Sequence, residues 1–142
     1  MEKQFNQYLS NLVVWTVKLH NIHWNVKGEL FVPVHEFTEA EYDKSFARID
    51  EVAEHMKMYD HMPASTLKEY MELATIKEEP TRSFECKEAL KIVLDDMEAL
   101  RKEATDLRNA ADEQGWFSAV ALFEDHVNDY NKQIWFLKSM LA

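Results

Sequence analysis

The sequence predicts an all-α protein, a four-helix bundle with a short extra helix in one long connection. Two observations carry this prediction. The 142 residues include only two glycines and three prolines, which favours long helices over many short strands. Apolar residues also recur at intervals of three and four along four long segments. Because hydrophobic residues make up 46% of the chain, they suffice for a core, and we expect a single domain over residues 1–142.

The first half of the chain predicts two long helices joined by a short turn. Residues 3–26 carry apolar side chains at helical spacing, and Gly28 is placed to end this helix. The second helix is predicted to begin at Pro33 and to run to about Tyr59, without a glycine or a further proline in between. Its predicted apolar stripe consists of Tyr42, Phe46, Ile49, Ala53 and Met56.

The second half predicts a long connection and two more long helices. Pro63 marks a break, and Ser65 is placed to cap a short helix, STLKEYMEL, before the polar residues 75–83. A third long helix fits Phe84 to about Asp112, and after Gly115 a fourth fits 116–140. The predicted core side of the fourth helix consists of Val120, Phe123, Val127, Tyr130, Ile134 and Leu137.

The lengths of the connections predict how the four helices are arranged. Short turns join the first helix to the second and the third to the fourth, whereas a long link separates the second from the third. A link of that length allows helices two and three to run parallel, which is ferritin-like connectivity. The alternative is an up-and-down bundle with an irregular middle loop.

Composition excludes several classes of function. The net charge is −10, with 26 acidic against 16 basic residues, so the surface repels nucleic acid and anionic lipid and attracts cations. The single cysteine, Cys86, rules out an internal disulfide and fits a reducing compartment. No basic start followed by a long apolar run is visible at the N-terminus, and the apolar run 12–15 is too short to span a membrane. We therefore expect a cytoplasmic protein that does not bind membranes.

Five residues in the first and second predicted helices could bind a metal: His23, His35, Glu39, Asp50 and Glu54. Around the second helix, Glu39, Asp50 and Glu54 lie roughly 40°, 60° and 100° from His35, so all four border one stripe. Along the axis, however, Asp50 lies roughly 22 Å beyond His35. Since a metal–ligand bond is about 2 Å long, one ion cannot reach both ends.

Two arrangements are compatible with that separation. One chain could hold two separate clusters, or two chains could pack their second helices antiparallel about a twofold axis and share two equivalent sites. In the second arrangement, His23 folds back beside His35 across the short link, and the ligands become two imidazoles and three carboxylates. Such a set suits iron, manganese or zinc, and the absence of thiolate argues against a structural zinc site. The simplest interpretation remains that these residues are the solvated border of an amphipathic helix.

The motif around these residues resembles that of a known family. The stretch LHNIHWNVKGELFVPVHE, followed by a tyrosine and IDEVAE, resembles the Dps family of mini-ferritins. The matching positions at family spacing are His23, Trp24, Gly28, Phe31, His35, Tyr42, Asp50, Ala53 and Glu54. The similarity extends through STLKEY and the closing IWFLKSML, so it covers nearly the whole chain.

This resemblance implies both an activity and an assembly. Family members oxidise Fe(II), often with hydrogen peroxide, at a ferroxidase centre between two subunits. They store the ferric mineral inside a hollow dodecameric shell, which protects against oxidative stress. By the match, His23, His35, Asp50 and Glu54 are the implied catalytic ligands. Glu39 joins them as a metal ligand at a position where the family usually has Asp. A di-iron site within one chain is disfavoured, because none of the six histidines has a Glu three residues before it.

The chain also departs from the family pattern. Some members bind DNA through a Lys-rich N-terminal tail, but here only Lys3 precedes Lys18, so we expect weak or no DNA binding. The region 115–121, where the family has acidic pores, is mostly apolar, and Tyr59-Asp60 stands where a glycine pair is common. Two other functions stay open: a structural DNA-binding shell of the nucleoid, and a helical adaptor without metal.

The remaining candidate residues are assigned to the surface or to packing. We expect surface positions for His20, His55, His61 and His126, and a packed, redox-inactive position for Cys86. Trp24, Trp116 and Trp135 are expected to serve packing, although Trp24 could also donate an electron to an oxidising species formed beside His23.

Overall fold

The computed structural model covers Met1–Ala142 and has the predicted all-α, ferritin-like fold. Four long helices form the bundle: α1 (Glu2–Asn25), α2 (Phe31–Met58), α4 (Cys86–Gln114) and α5 (Phe117–Leu141). The short helix α3 (Leu67–Leu73) lies in the connection between α2 and α4. None of the helices combines the length and the apolarity that a membrane span requires.

The long connection is a true crossover, as predicted from its length. Two short strands that the sequence analysis missed, β1 (Val26–Lys27) and β2 (Phe84–Glu85), pair in parallel. Their pairing places the start of α4 beside the end of α1, which is also the end of the bundle where α2 begins. The helices α2 and α4 therefore start at the same end and run parallel.

Asparagines on the inner part of α1 fix the path of this crossover. The Asn11 side-chain oxygen accepts hydrogen bonds from the backbone N–H groups of Thr75 and Ile76, at 2.7 and 2.9 Å. Nearer the start of the helix, the Asn6 side chain accepts from the backbone N–H of Ala64 at 2.7 Å. Because a buried N–H without a partner costs about 1–3 kcal/mol, Asn11 favours one path for the link over its alternatives.

The ends of the helices follow the predicted signals with small differences. Gly115 has φ +73° and ends α4, and Gly28 has φ +127° in the turn after β1, a conformation that disfavours any other residue. The helix α2 begins at Phe31, two residues before Pro33. The short helix is capped by Thr66 rather than Ser65, because the Thr66 hydroxyl accepts from the Glu69 N–H at 3.2 Å.

Most of the predicted apolar stripe of α2 does not face the interior of the chain. The face of α2 that is buried against the rest of the chain consists of Val34, Thr38, Glu41, Ser45, Arg48, Val52 and Met56. Of the predicted stripe, only Met56 is fully buried, whereas Phe46 is 71% exposed and the other members are half-buried. The hydroxyl groups on this inner face find partners: the Thr16 hydroxyl donates to Ser45 at 2.8 Å, and Thr38 donates to the Val34 carbonyl at 2.9 Å. The apolar side chains therefore form an outward stripe, defined here as Tyr42, Phe46, Ile49 and Ala53.

The fourth long helix mostly has the predicted inner side. Its residues Phe123, Tyr130, Ile134 and Leu137 are fully buried, whereas Val120 and Val127 are half-buried. One polar residue, His126, takes a core position between them.

Candidate metal centre

Two histidines from different helices lie against each other at the turn between α1 and α2. The rings of His23 and His35 stack with their centroids 3.6 Å apart and an angle of 14° between their planes. The short Gly28 turn brings them together, because it reverses the chain within the five residues that separate the helices. His23 is buried, and His35 lies nearer the surface.

Reciprocal hydrogen bonds fix the tautomer that each of the two rings adopts when it is neutral. Nδ1 of His23 lies 2.7 Å from the carbonyl oxygen of His35, and Nδ1 of His35 lies 2.8 Å from the carbonyl oxygen of His23. Since a carbonyl oxygen only accepts, each Nδ1 carries a hydrogen and donates it. Each neutral ring therefore keeps a lone pair on Nε2, the state in which histidine binds a metal.

Neighbouring aromatic groups hold this histidine pair in place. The Tyr42 ring meets the His23 ring edge-on at 5.2 Å, and the Phe31 ring stacks on His35 at 4.9 Å. The Tyr42 hydroxyl donates to the Glu39 carboxylate at 3.4 Å, one turn beyond His35. This contact tethers an exposed acidic side chain near the histidines.

Asp50 and Glu54 form a second acidic group, one turn apart on the exposed side of α2. A hydrogen bond between their side chains, together with the charge of Asp50, raises the pKa of the Glu54 carboxyl above its usual range. Two carboxyl groups that interact this strongly are close enough to hold one cation between them.

Within one chain, the two groups of candidate ligands remain apart. Helix α2 runs unbroken from Phe31 to Met58, and Asp50 follows His35 by roughly 22 Å at the rise of an α-helix. No three side chains of His, Cys, Asp or Glu converge in the chain to form a metal site. Each chain thus carries two partial ligand sets, a histidine set (His23, His35 and Glu39) and an acidic set (Asp50 and Glu54). Between them lies the outward stripe.

One predicted surface histidine is instead a core residue. His126 is completely buried, and its two ring nitrogens lie 3.0 Å from the Tyr8 hydroxyl and 3.1 Å from a Glu51 carboxylate oxygen. Its position could have been found from its spacing, because it lies three residues after Phe123 and four before Tyr130, on the buried side of α5.

The other histidines are half-buried rather than fully at the surface. His20 donates from Nδ1 to the Thr16 carbonyl at 2.7 Å, and its ring stacks on Tyr42 at 3.9 Å. His20 therefore packs against Tyr42, which in turn packs against His23.

The predictions for the cysteine and the tryptophans had mixed outcomes. Cys86 is buried, as predicted, and its thiol donates to the Lys27 carbonyl at 3.3 Å. Trp116 packs on Tyr59, with the rings stacked at 4.3 Å. By contrast, Trp24 and Trp135 are 69% and 63% exposed in the single chain.

The fold is that of a ferritin-like protein, and the family model described as "Ferritin-like domain" matches residues 2–142. A relative from Helicobacter pylori named "DNA protection during starvation protein" is 37% identical over 94% of this chain and 92% of its own length. The chain therefore belongs to the Dps family of ferritin-like proteins.

Solved structures of relatives agree with this assignment. The crystal structure of Helicobacter cinaedi CAIP is 40% identical, with a TM-score of 0.96 over 99% of both chains. A Dps protein from Vibrio cholerae O1 is 27% identical, with a TM-score of 0.94 over 99% of this chain and 88% of that one. It is described as a member of a broad superfamily of ferritin-like diiron-carboxylate proteins.

Proposed function

We propose that this protein is a ferroxidase of the Dps type, which oxidises Fe(II) at sites shared between two chains and stores the ferric product. The observation that carries the proposal is the histidine pair. Both Nδ1 atoms are committed to backbone carbonyls, so both Nε2 atoms are free to bind a metal.

The assembly follows from the separation of the two ligand sets. If two chains pack α2 against α2 antiparallel about a twofold axis, the histidine set of one faces the acidic set of the other. The twofold axis makes two equivalent sites from the two pairs. The same packing buries the outward stripe, which otherwise leaves Phe46 exposed. We propose that such dimers build the dodecameric shell that the family resemblance implies.

The chemistry of the ligands suits iron as the substrate. Two imidazoles and three carboxylates bind Fe(II), and hard carboxylate oxygens stabilise Fe(III) still more, which makes oxidation easier. Two Fe(II) ions supply two electrons, and hydrogen peroxide with two protons accepts them to give two waters. A reaction that passes both electrons avoids the release of hydroxyl radical.

The same ligand set also fits manganese and zinc, so we expect other divalent ions to compete with Fe(II) for the isolated protein. The protective effect that we propose is the removal of Fe(II) from the cell's free pool, with hydrogen peroxide or oxygen as the oxidant.

The proposed function is tested on the unmodified protein. Fe(II) is added without oxygen, hydrogen peroxide follows, and the ferric absorbance is recorded against a protein-free sample. We expect faster oxidation with protein and co-elution of the ferric iron with the particle on gel filtration. Oxidation at the protein-free rate, with iron precipitating outside the particle, would refute the proposal.

A further inference from the structure

A buried chain of hydrogen bonds leads from the core of the bundle to the surface groove between α2 and α5. The Tyr8 hydroxyl lies 2.7 Å from the Tyr130 hydroxyl and 3.0 Å from Nδ1 of His126. On the other side of the ring, Nε2 of His126 lies 3.1 Å from a carboxylate oxygen of Glu51. Tyr8, Tyr130 and His126 are all completely buried, whereas Glu51 reaches the surface.

The direction of each hydrogen bond in this chain follows from chemistry. Burial lowers the pKa of His126 to about 3, and the charge of Arg48 acts in the same direction, so the imidazole is neutral at neutral pH. A carboxylate only accepts, so Nε2 of His126 donates to Glu51 and Nδ1 must accept. The Tyr8 hydroxyl therefore donates to His126 and accepts from Tyr130.

We propose that Tyr8 is a redox-active tyrosine, the group in this protein that gives up an electron to a one-electron oxidant while passing its phenol proton to His126. An oxidised phenol is a far stronger acid than an imidazolium ion, so even a weakly basic imidazole takes the proton. The Glu51 carboxylate stabilises the imidazolium that forms and offsets the positive charge of Arg48.

None of the other four tyrosines has a nitrogen base as its hydrogen-bond partner. The Tyr42 hydroxyl donates to the exposed carboxylate of Glu39 at the long distance of 3.4 Å. Tyr59 meets only the hydroxyl of Ser118, Tyr70 has no hydrogen-bond partner for its hydroxyl, and Tyr130 donates to Tyr8 itself. Tyr8 is the tyrosine whose proton has a nitrogen base to go to.

The position of these hydrogen bonds gives Tyr8 a role in reducing radicals that form at the metal centre. Glu51 directly follows Asp50 on α2, so the outer end of these hydrogen bonds adjoins the acidic set along the backbone, while the Glu51 side chain itself lies in the groove between α2 and α5. This part of the inference rests on the proposed function. A lone Fe(II) that meets hydrogen peroxide yields Fe(III), hydroxide and hydroxyl radical. The radical takes one electron from Tyr8 and becomes hydroxide, and His126 holds the proton. A further Fe(II) then returns the electron, becomes Fe(III), and the proton goes back to Tyr8.

The redox activity of Tyr8 is tested first without iron, so that its result does not depend on ferroxidase activity. Metal-free protein is oxidised by photogenerated ruthenium(III) tris-bipyridine and frozen for electron paramagnetic resonance. We expect a tyrosyl signal that is lost in Tyr8→Phe and kept in the matched control Tyr59→Phe. An unchanged tyrosyl signal in Tyr8→Phe would overturn the proposal.

A second variant keeps the proposal testable if Tyr8→Phe does not fold. Incorporation of 3-fluorotyrosine at position 8 keeps the hydroxyl and its hydrogen bonds, and it adds a fluorine coupling to any radical on that ring. We expect the spectrum to show this coupling. A spectrum without it assigns the radical to another tyrosine and refutes the proposal.

The role of Tyr8 in reducing radicals formed at the metal centre is tested separately, with Fe(II) in large excess over hydrogen peroxide. We expect a transient Tyr8 signal in the wild type, and in Tyr8→Phe more oxidation of the exposed Trp24, measured by peptide mass spectrometry. A Tyr8 signal with ruthenium but none with iron and peroxide, in protein that oxidises Fe(II), would overturn the protective role. Failure of Fe(II) oxidation itself would count against the proposed function and leave the ruthenium result to decide on Tyr8.

Discussion

A His35→Ala, Asp50→Ala double variant is expected to oxidise Fe(II) with hydrogen peroxide no faster than a protein-free solution. Each chain contributes one ligand set to each of two sites, so the two changes remove an imidazole and a carboxylate from every site. Each site then loses two of its five ligands, and the three that remain cannot complete the coordination of the ion. We expect tight Fe(II) binding to be abolished rather than weakened by a few fold. The rate is followed by ferric absorbance after anaerobic addition of peroxide.

A matched control keeps the residue types and the helix but leaves the site intact. His55→Ala, Asp43→Ala replaces a half-buried histidine and an exposed aspartate, both on α2 and both outside the two ligand sets. This control should oxidise Fe(II) as the wild type does, and particle mass should be the same for all three proteins. Equal rates in the wild type and in the His35→Ala, Asp50→Ala shell would mean that the motif is structural, and the ferroxidase proposal would have to be abandoned.

Phe46→Glu is expected to have the largest effect on assembly. Phe46 is the most exposed member of the outward stripe, and in the proposed dimer its ring lies at the interface between two copies of α2. A carboxylate at that place is buried without a partner, twice per dimer because of the twofold axis, and the cost is several kcal/mol per charge. We expect a much smaller particle by light scattering, with helix content retained, and loss of Fe(II) oxidation because both sites come apart.

Ala47→Glu provides the comparison for this variant. Ala47 is exposed and lies on the next position of α2, beside Lys44 and Arg48 and away from the outward stripe. The added carboxylate meets cations there, so the particle should keep its mass. If Phe46→Glu also assembles as the wild type does, the outward stripe is not the surface that joins two chains.

The sequence predicted the helices well because their ends are set locally. Gly115 adopts a left-handed conformation that favours glycine, and its position alone marks the end of α4. The β1–β2 pairing was missed, because it joins two residues at Val26 to two at Phe84 and no local pattern encodes that contact. Thr66 rather than Ser65 caps α3, which the acceptor three residues on, Glu69, could have indicated.

Periodicity identified the apolar stripe of α2 but not the side on which it lies. A helix pattern does not distinguish a stripe that packs within the chain from one left for another chain. In α2 the inner face is filled by polar residues such as Thr38 and Ser45, whose hydrogen bonds replace apolar contacts. The spacing of His126 placed it on the buried side of α5, but its hydrogen-bond partners on α1 and α2 are distant in sequence and no local pattern indicates them.

The residues of the candidate site could be predicted from the sequence, but the hydrogen bonds that orient them could not. Helical rise alone shows that His35 and Asp50 cannot share an ion within one chain. The reciprocal bonds between the His23 and His35 rings and backbone carbonyls depend on the path of the Gly28 turn, which residue types do not specify.

The most direct test of a site shared by two chains is complementation between two inactive variants. Chains with His35→Ala and chains with Asp50→Ala are first assembled separately, and each particle is expected to oxidise Fe(II) at the protein-free rate. Co-expressed with different tags and purified as mixed particles, they form dimers in which one site carries both changes and the other carries neither. Random pairing then restores about one quarter of the wild-type sites, and we expect that share of the wild-type rate. Mixed particles that stay at the protein-free rate would show that both ligand sets act within a single chain, which contradicts the shared site.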